Sequence, residues 1–572
     1  MSAAELRGIP AAGGVAVGRA VVLFEPEAEA GGAGGERARA DALAALDAVA
    51  AELDERADAL RREGLAAEAE ILAANALMAS DPVLREEVAA LALDVPAAIA
   101  LRRAADRHAA LLAALPDPLL AARAADVSEL GRRAARRLAE PTPPLQADGP
   151  AIVVARDLGP AEVAELRDAR ALHVRGLALA SGSATSHAAI MARSLGLPMA
   201  VGLGDGLLAV EDRGTLVLDG DRGRLYVEPD EATEAWGRST MAWEEDLRRT
   251  LAAGRSLPAV TRDGEAVALL CNAGTAAEVK AGLAAGAEGV GLLRTELAFL
   301  EANAWPGEEE HVQALAPVLE PLRGRLATVR TLDFGADKTP PFLEGTPTRG
   351  ISLLLEHPDA LAAQLRAILR AGQAVRLRVL LPLVESREQL REVRALLHDA
   401  AAAVGVAVPP LGAMIETPLA AARARELAAE ADFLSIGTND LVQYTLGLDR
   451  EAPLATVRTA ADPAVLRHVA SAGVAAAAVG VALEVCGEAA GIPPLAALFV
   501  GLGVGELSTA PARLDEIRAA VRGLSAAQAR SAARAALDDP DAAAVLARAE
   551  VLLSELGDEI REAVGRRGGV VA

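Results

Sequence analysis

The chain has few of the residues that would commit it to several common protein classes. Its 572 residues include two cysteines, Cys271 and Cys486, too far apart to suggest a disulfide framework. The opening Met-Ser-Ala-Ala-Glu-Leu-Arg-Gly lacks the basic-then-apolar layout of a secretion leader, and with the sparse cysteines this gives an expectation of reducing cytosol. Positive charge is outnumbered: 57 Lys and Arg stand against 80 Asp and Glu, a net charge of −23. Binding along a phosphate backbone needs concentrated cations, so nucleic acid is not an expected partner. Long uncharged runs are also missing. Val469 to Leu483 is too short to span a bilayer, and Glu484, Glu488 and Pro493-Pro494 interrupt the apolar stretch beyond it, so no membrane insertion is expected. Lysine occurs only at 280 and 338, Asn only at 75, 272, 303 and 439, and Tyr only at 226 and 444. In a chain that has drifted toward Ala and Arg, such exceptions weakly mark positions where the common substitute cannot act.

What remains is a folded, globular composition, 52% hydrophobic and 24% charged. The length exceeds one hydrophobic core and implies about three to four domains at ~150 residues each. Gly13 to Phe24 reads as a strand, and Pro26 to Gly35 as a linker. From Glu36 to Arg62, Leu43, Leu46, Val49, Leu53 and Leu60 recur at helical spacing. Further helices carry Ile71, Leu72, Leu77 and Met78, or start at Asp81-Pro82, so residues 26–140 read as a helical domain. Pro141 to Pro144 then blocks helix continuation. Beyond it, β-type runs at Ala151–Ala155, Ala171–Val174, Met199–Val201, Thr215–Leu218 and Arg224–Val227 alternate with helical stretches at 160–167 and 187–195. Residues 1–25 plus 141–230 thus form one α/β domain, with the helical bundle as an insertion, and 231–256 is a charged helical linker.

From residue 257 to 572, strand-like runs alternate with Ala/Leu/Arg helices. The strands are read at Ala266–Cys271, Gly289–Leu293, Ala327–Leu332, Arg376–Leu381, Leu411–Ile415, Phe433–Ile436, Val481–Val485 and Leu498–Leu502. Eight such units match a (β/α)8 TIM-type barrel, whose working residues follow strand C-termini. Those positions hold Asn272, Arg294 with Glu296, Asp333, Glu416, Asn439 with Asp440, and Cys486 with Glu488, while Arg330 lies near the end of its own run.

Two constellations carry chemistry. In Gly182-Ser-Ala-Thr-Ser-His187-Ala-Ala-Ile-Met-Ala-Arg-Ser-Leu-Gly196-Leu-Pro198, Thr185 or Ser186 can cap a helix that starts near His187. A histidine there meets free backbone amides and the positive helix end. Both disfavour imidazolium and stabilise a phosphoryl group on the ring. An isolated His of this kind usually only packs, but this long string resembles the phosphohistidine swivel domain of phosphoenolpyruvate-using phosphotransferases. The other histidines, 108, 173, 311, 357, 398 and 468, read as surface or core. Across the barrel, Arg294, Arg330 and Arg450 offer guanidinium forks for phosphate and carboxylate oxygens, and Lys338 adds a point charge. Glu416 and Asp440 are hard oxygen ligands suited to Mg²⁺, and Cys486 is a candidate proton donor to an enolate. Singly, each has a bland reading as an ion pair, a turn or a small buried residue. Their recurrence at successive strand ends argues otherwise.

In this order, both halves resemble the enzyme I family of phosphoenolpyruvate-dependent sugar phosphotransferase systems. The likeness extends to the opening Gly8-Ile-Pro-Ala-x-x-Gly-x-Ala-x-Gly and to Glu70-Ile-Leu through Met78-x-x-Asp81-Pro82, where the family docks its carrier HPr. It implies a bundle inserted in a swivelling phosphohistidine domain, a barrel that forms a homodimer, and Mg²⁺ as cofactor. It also implies transfer from phosphoenolpyruvate to the histidine, release of pyruvate and onward transfer to HPr. His187 is then the phosphorylated residue and Cys486 the acid. Arg294, Arg330, Lys338, Asn439 and Arg450 are the substrate contacts, and Glu416 and Asp440 the metal ligands. A nitrogen-type regulatory paralogue or a degenerate HPr-binding protein is the alternative. No sensor region is expected ahead of Gly8, and no glycine-rich phosphate loop is found for a nucleotide-using relative. Two departures stand out. Thr346-Pro-Thr-Arg349-Gly-Ile-Ser352 replaces the usual Asn-Pro-x-Leu-Gly-x-Arg, with Arg349 a candidate to reach the same phosphate. Asp157-Leu-Gly159-Pro160 replaces Asp-Leu-Thr-Pro, so a hydroxyl that could orient His187 is expected to be missing.

Overall fold

A computed structural model describes residues 4–23, 33–63, 66–114, 123–138, 149–168, 173–184, 186–300, 302–335, 338–448 and 457–553. The linker expected before residue 33, the Pro141–Pro144 boundary, Thr185 and Arg450 lie outside the described residues. The chain forms two compact units, Met1–Asp246 and Leu247–Ala572.

In the first unit, strands β1 (Ala4–Arg7), β2 (Ile9–Ala12), β3 (Val15–Leu23), β4 (Ala151–Ala155), β5 (Val174–Leu179), β6 (Met199–Val201), β7 (Thr215–Asp219) and β8 (Arg224–Val227) make one sheet in the order β1-β8-β7-β3-β4-β5-β6-β2. The neighbours β3 and β4 pair in parallel, Arg19 opposite Ala151. Between them in the chain come the described helices α1 (Glu36–Glu63), α2 (Ala66–Ala79), α3 (Pro82–Leu91), α4 (Ala97–Ala113) and α5 (Ala124–Arg137). The heptad-like leucines of α1 explain its burial: Leu46, Val49, Leu53 and Leu60 all face the core. Asp81 caps α3 as expected, its Oδ1 accepting from the Val83 amide at 2.7 Å. Helices α6 (Pro160–Asp168) and α7 (His187–Ser194) flank the sheet, and α8 (Glu231–Ala253) comes after it.

Of the run expected at Ala171–Val174, Ala171 and Leu172 lie outside the described residues; Val174 opens β5 (Val174–Leu179), which follows His173 at φ 42° and runs five residues past the expected end. The Arg175-Gly176 pair breaks the apolar pattern, yet Gly176 sits where a Cβ would press on Leu218 and Ala16, so the strand accepts it for close sheet packing.

The second unit is a closed barrel of eight parallel strands: β9 (Ala268–Ala273), β10 (Gly289–Leu293), β11 (Leu326–Arg330), β12 (Arg376–Leu381), β13 (Leu411–Ile415), β14 (Phe433–Ile436), β15 (Ala482–Val485) and β16 (Glu506–Thr509). The eighth strand corrects the sequence reading. Leu498–Leu502 is not a strand, because Pro493-Pro494 opens a helix over Pro493–Gly501 that is apolar on every side and buried from Pro493 to Val500. The true eighth strand is a four-residue segment with Glu506 and Ser508 turned to a polar interior, and it lacks the apolar run that marks the others. Among the described residues no helix is long and apolar enough to cross a membrane.

Candidate active site

The expected barrel residues gather at strand C-termini. Arg330 ends β11, where its Nη2 donates to Glu296 Oε1 at 2.5 Å and its Nη1 pairs with Asp333 Oδ2 at 2.9 Å. Lys338 Nζ reaches the same Glu296 oxygen at 3.0 Å. Burial pushes the Glu296 carboxyl up, but Arg330 and then Lys338 outweigh it and hold the group at about 2. Glu296 is therefore no surface partner of Arg294; it is a buried anion that pairs with both Arg330 and Lys338. Arg294 itself is half-buried after β10. Asn439 Oδ1 accepts the Glu488 amide at 3.1 Å, which ties the loop after β14 to the loop after β15.

Glu416, at the end of β13, and Asp440, in the first turn of the helix Thr438–Leu446, are both buried. Burial, then the facing charges of Asp440 and Asp333, drive the Glu416 carboxyl well above the usual carboxylate range. Its Oε2 accepts one backbone amide, from Leu383 at 2.9 Å. Carboxylates crowded this way are relieved by a divalent cation. Glu416 and Asp440 are hard oxygen donors of the kind Mg²⁺ takes when water and substrate complete its shell. The donor set fits the metal.

Cys486, just past β15, is 1% exposed. Ser435 Oγ donates to its Sγ at 3.2 Å, and the thiol faces the Ile436 carbonyl at 3.6 Å. Burial, then the nearby Glu484 carboxyl, raise this thiol above its ordinary value, so it holds its proton at neutral pH.

Arg349 turns out to be a mouth residue. Its Nη1 donates to Tyr444 Oη at 3.2 Å and its Nη2 to Asp440 Oδ1 at 3.4 Å, with Asp333 Oδ1 at 3.9 Å. Gly335 makes this possible: at φ +130° it brings its backbone so close that a Cβ would sit 2.5 Å from Arg349 Cβ. Ser352 points elsewhere and accepts from Gln389 Nε2 at 3.0 Å. The Gly335 beside Asp333 and the rare Tyr444 were the sequence signals that could have settled the orientation of Arg349.

In the first unit, Ser186 caps α7 with its side chain on the Ala189 amide at 3.2 Å, which fixes His187 at the first helical position. The imidazole is part-buried, and its Nδ1 lies 2.8 Å from Asp126 Oδ2, contributed by α5. Arg123 Nη1 pairs with the same oxygen at 3.5 Å. An orienting group is therefore present, but it is a carboxylate from the helical insert. Sequence reasoning missed Asp126, which stands 61 residues away on a helix rich in similar charges. The space at Gly159 is filled by Glu129, one turn after Asp126: a Cβ at 159 would lie 1.5 Å from Glu129 Oε2.

Comparison with known proteins matches this arrangement segment by segment. Residues 7–123 fit the model of the PEP-utilising enzyme N-terminal domain, 147–223 the mobile domain, and 248–526 the PEP-binding domain. A phosphoenolpyruvate-protein phosphotransferase of Streptomyces coelicolor is 38% identical over 96% of this chain and 99% of its own length. The chain belongs to the phosphoenolpyruvate-protein phosphotransferase family.

It is also similar to multiphosphoryl transfer proteins of Xanthomonas campestris, 42% identical over 74% of this chain, and Rhodobacter capsulatus, 39% identical over 86%. The matches span only 52% and 61% of those two longer relatives. Within a phosphoenolpyruvate-protein phosphotransferase, the two departures noted from sequence acquire a physical reading. Ser352 pairs with Gln389 while Arg349 reaches Tyr444 and Asp440 at the barrel mouth, and Gly159 makes room for a buried acid.

Proposed function

We propose that the chain transfers the phosphoryl group of phosphoenolpyruvate to His187 and on to a histidine of HPr, releasing pyruvate, as the first step of a sugar phosphotransferase system. The observation that carries this reading is the 2.8 Å contact of His187 Nδ1 with Asp126. A carboxylate there accepts a hydrogen bond from Nδ1–H, which keeps the proton on Nδ1 and leaves the lone pair on Nε2, the nitrogen that attacks phosphorus. Arg294, Arg330, Lys338, Arg349 and Arg450 bind the phosphate and carboxylate oxygens, and Asn439 braces the loop beside them. Glu416 and Asp440 would hold Mg²⁺, which supplies charge neutralisation for the leaving enolate. As the P–O bond breaks, the Cys486 thiol gives its proton to the enolate carbon, forming pyruvate. Residues 231–256 serve as the hinge through which one imidazole visits both partners, the barrel pairs two copies, and the setting is cytoplasmic. HPr docks on α2 and α3, where Leu77 and Val83 are 74% and 65% exposed.

The test is pyruvate release from phosphoenolpyruvate with Mg²⁺, with and without HPr. His187→Ala should abolish acid-labile phosphoenzyme while the circular dichroism spectrum is kept. Label retained in that variant overturns the reading.

A further inference from the structure

One buried amide ties together the two strand ends that carry Arg294, Glu296, Arg330 and Asp333. The helix Pro358–Ala371 has a buried apolar stripe of Leu361, Leu365 and Ile368, and Gln364 lies within it at 0% exposed. A polar side chain in such a stripe gives up its water and recovers the loss only through hydrogen bonds.

Both ends of the amide are engaged, and their direction is forced. Gln364 Oε1 accepts from the Leu332 amide at 3.1 Å, two residues past the end of β11. A backbone N–H can only donate, so the oxygen must face it, and Nε2 is then the end that donates to Thr295 Oγ1 at 3.1 Å. Thr295 in turn gives its hydroxyl hydrogen to the Arg330 carbonyl at 2.9 Å. The three bonds run one way, from Leu332 through Gln364 and Thr295 to Arg330. All four residues are buried.

The segments joined in this way are those of the candidate site. Thr295 stands between Arg294 and Glu296, and the other bonded segment runs from Arg330 to Leu332, next to Asp333. The two meet a second time where Arg330 Nη2 and Lys338 Nζ share Glu296 Oε1, at 2.5 and 3.0 Å. Thr295 and Leu332 both lie beyond the last residues of β10 and β11, so the amide takes over where the strands stop.

We infer that Gln364 and Thr295 are positioning residues for phosphoenolpyruvate, which set the separation of Arg294 from Arg330 across adjacent strand ends. This rests on the proposed role of those arginines as substrate contacts. A guanidinium fork grips phosphate or carboxylate oxygens only when its N–H groups are aimed, so a shift of about 1 Å in one backbone segment costs affinity.

A full-length His187→Ala chain cannot be phosphorylated on that ring and reports ground-state binding, so calorimetric titration with phosphoenolpyruvate and Mg²⁺ is run in that background. Gln364→Met fills the space without the amide, and Thr295→Val keeps the shape without the hydroxyl. Each should weaken binding about tenfold, whereas Thr295→Ser, which keeps the hydroxyl, should stay within about twofold of the background chain. Because the bonds form one chain, the double variant Gln364→Met, Thr295→Val should bind no more than about twofold more weakly than either single variant. Should Gln364→Met fail to fold by circular dichroism, the Val and Ser variants at 295 carry the same test. A brace that served stability alone would lower the urea midpoint and leave phosphoenolpyruvate affinity unmoved, and that result overturns the proposal. Equal weakening in Thr295→Ser and Thr295→Val, or losses that simply add in the double variant, overturn it too. A background chain that does not bind phosphoenolpyruvate removes the substrate reading and this inference with it; one that binds as tightly with both single variants as without them removes the positioning role alone.

Discussion

Restoring the family's threonine at residue 159 should damage this particular chain. A Cβ there would fall 1.5 Å from Glu129 Oε2, 1.8 Å from its Cδ and 2.4 Å from Oε1, all far inside contact distance. Glu129 is 2% exposed and hemmed in by the charges of Glu162, Arg133 and Asp126, so it cannot simply rotate into water. Either its side chain is forced off-rotamer or α5 shifts. Overpacking of this kind costs about 1–3 kcal/mol. For a unit of this size, about 2 kcal/mol lowers its melting temperature by roughly 4–8 °C. Calorimetry of the full chain, tracking the transition of residues 1–246, should show that drop for Gly159→Thr. The double variant Gly159→Thr, Glu129→Ala should recover most of it, with a coupling of about 1 kcal/mol or more. Asp126 and Glu129 share one face of α5, so the single variant should also weaken the 2.8 Å contact to His187 and slow phosphoenzyme formation. Strictly additive losses in the double variant would refute the steric reasoning.

Three further outcomes rest on named contacts. Asp126→Asn keeps the shape but no longer favours the Nδ1–H tautomer, so labelling of His187 should slow on the order of tenfold or more, and an unchanged rate would show that Asp126 merely packs there. Arg349→Lys replaces a planar fork by a point charge and should raise the KM for phosphoenolpyruvate about tenfold; a KM unaltered beside a depressed kcat would place Arg349 away from the ground-state substrate. Burial without a described hydrogen-bond partner pushes the His311 ring down from 6.5 to about 4. The unfolded chain therefore binds the extra proton between those values, and stability is complete above about pH 6.5 and declines as pH falls through that window, by about 3 kcal/mol at most. His311→Phe, packing on Phe299, should lessen the acid sensitivity of the second unit's urea midpoint, and parallel losses in both proteins would contradict this.

Much of this molecule is readable from its residues alone. Gly289–Leu293, Arg376–Leu381, Leu411–Ile415 and Phe433–Ile436 are strands at the expected residues, because short apolar runs with polar punctuation at their C-termini leave little ambiguity. The eighth strand escapes for the opposite reason. Glu506-Leu-Ser-Thr faces a polar barrel interior, while the helix Pro493–Gly501 is apolar all round and mimics a buried strand. Among the candidate site residues, Glu416, Asp440 and Cys486 are legible because they follow strand ends. Asp126, Glu129 and the direction of Arg349 do not, since each acts across a contact between segments distant in the chain. Gln364 is visible only as an amide within an apolar helical stripe, and its meaning depends on the neighbours that the folded barrel brings to it.

That closure also constrains how the protein is made. β16 joins β15 to β9, so the seam is sealed by the last strand to be synthesised. Roughly 230 residues separate β9 from its final partner, and at ribosomal speeds of about 5–20 residues per second the nascent sheet presents two bare edges for about 10–50 s. Chaperone capture during this interval, and aggregation of chains that terminate early, are the expected costs of a seam formed so late.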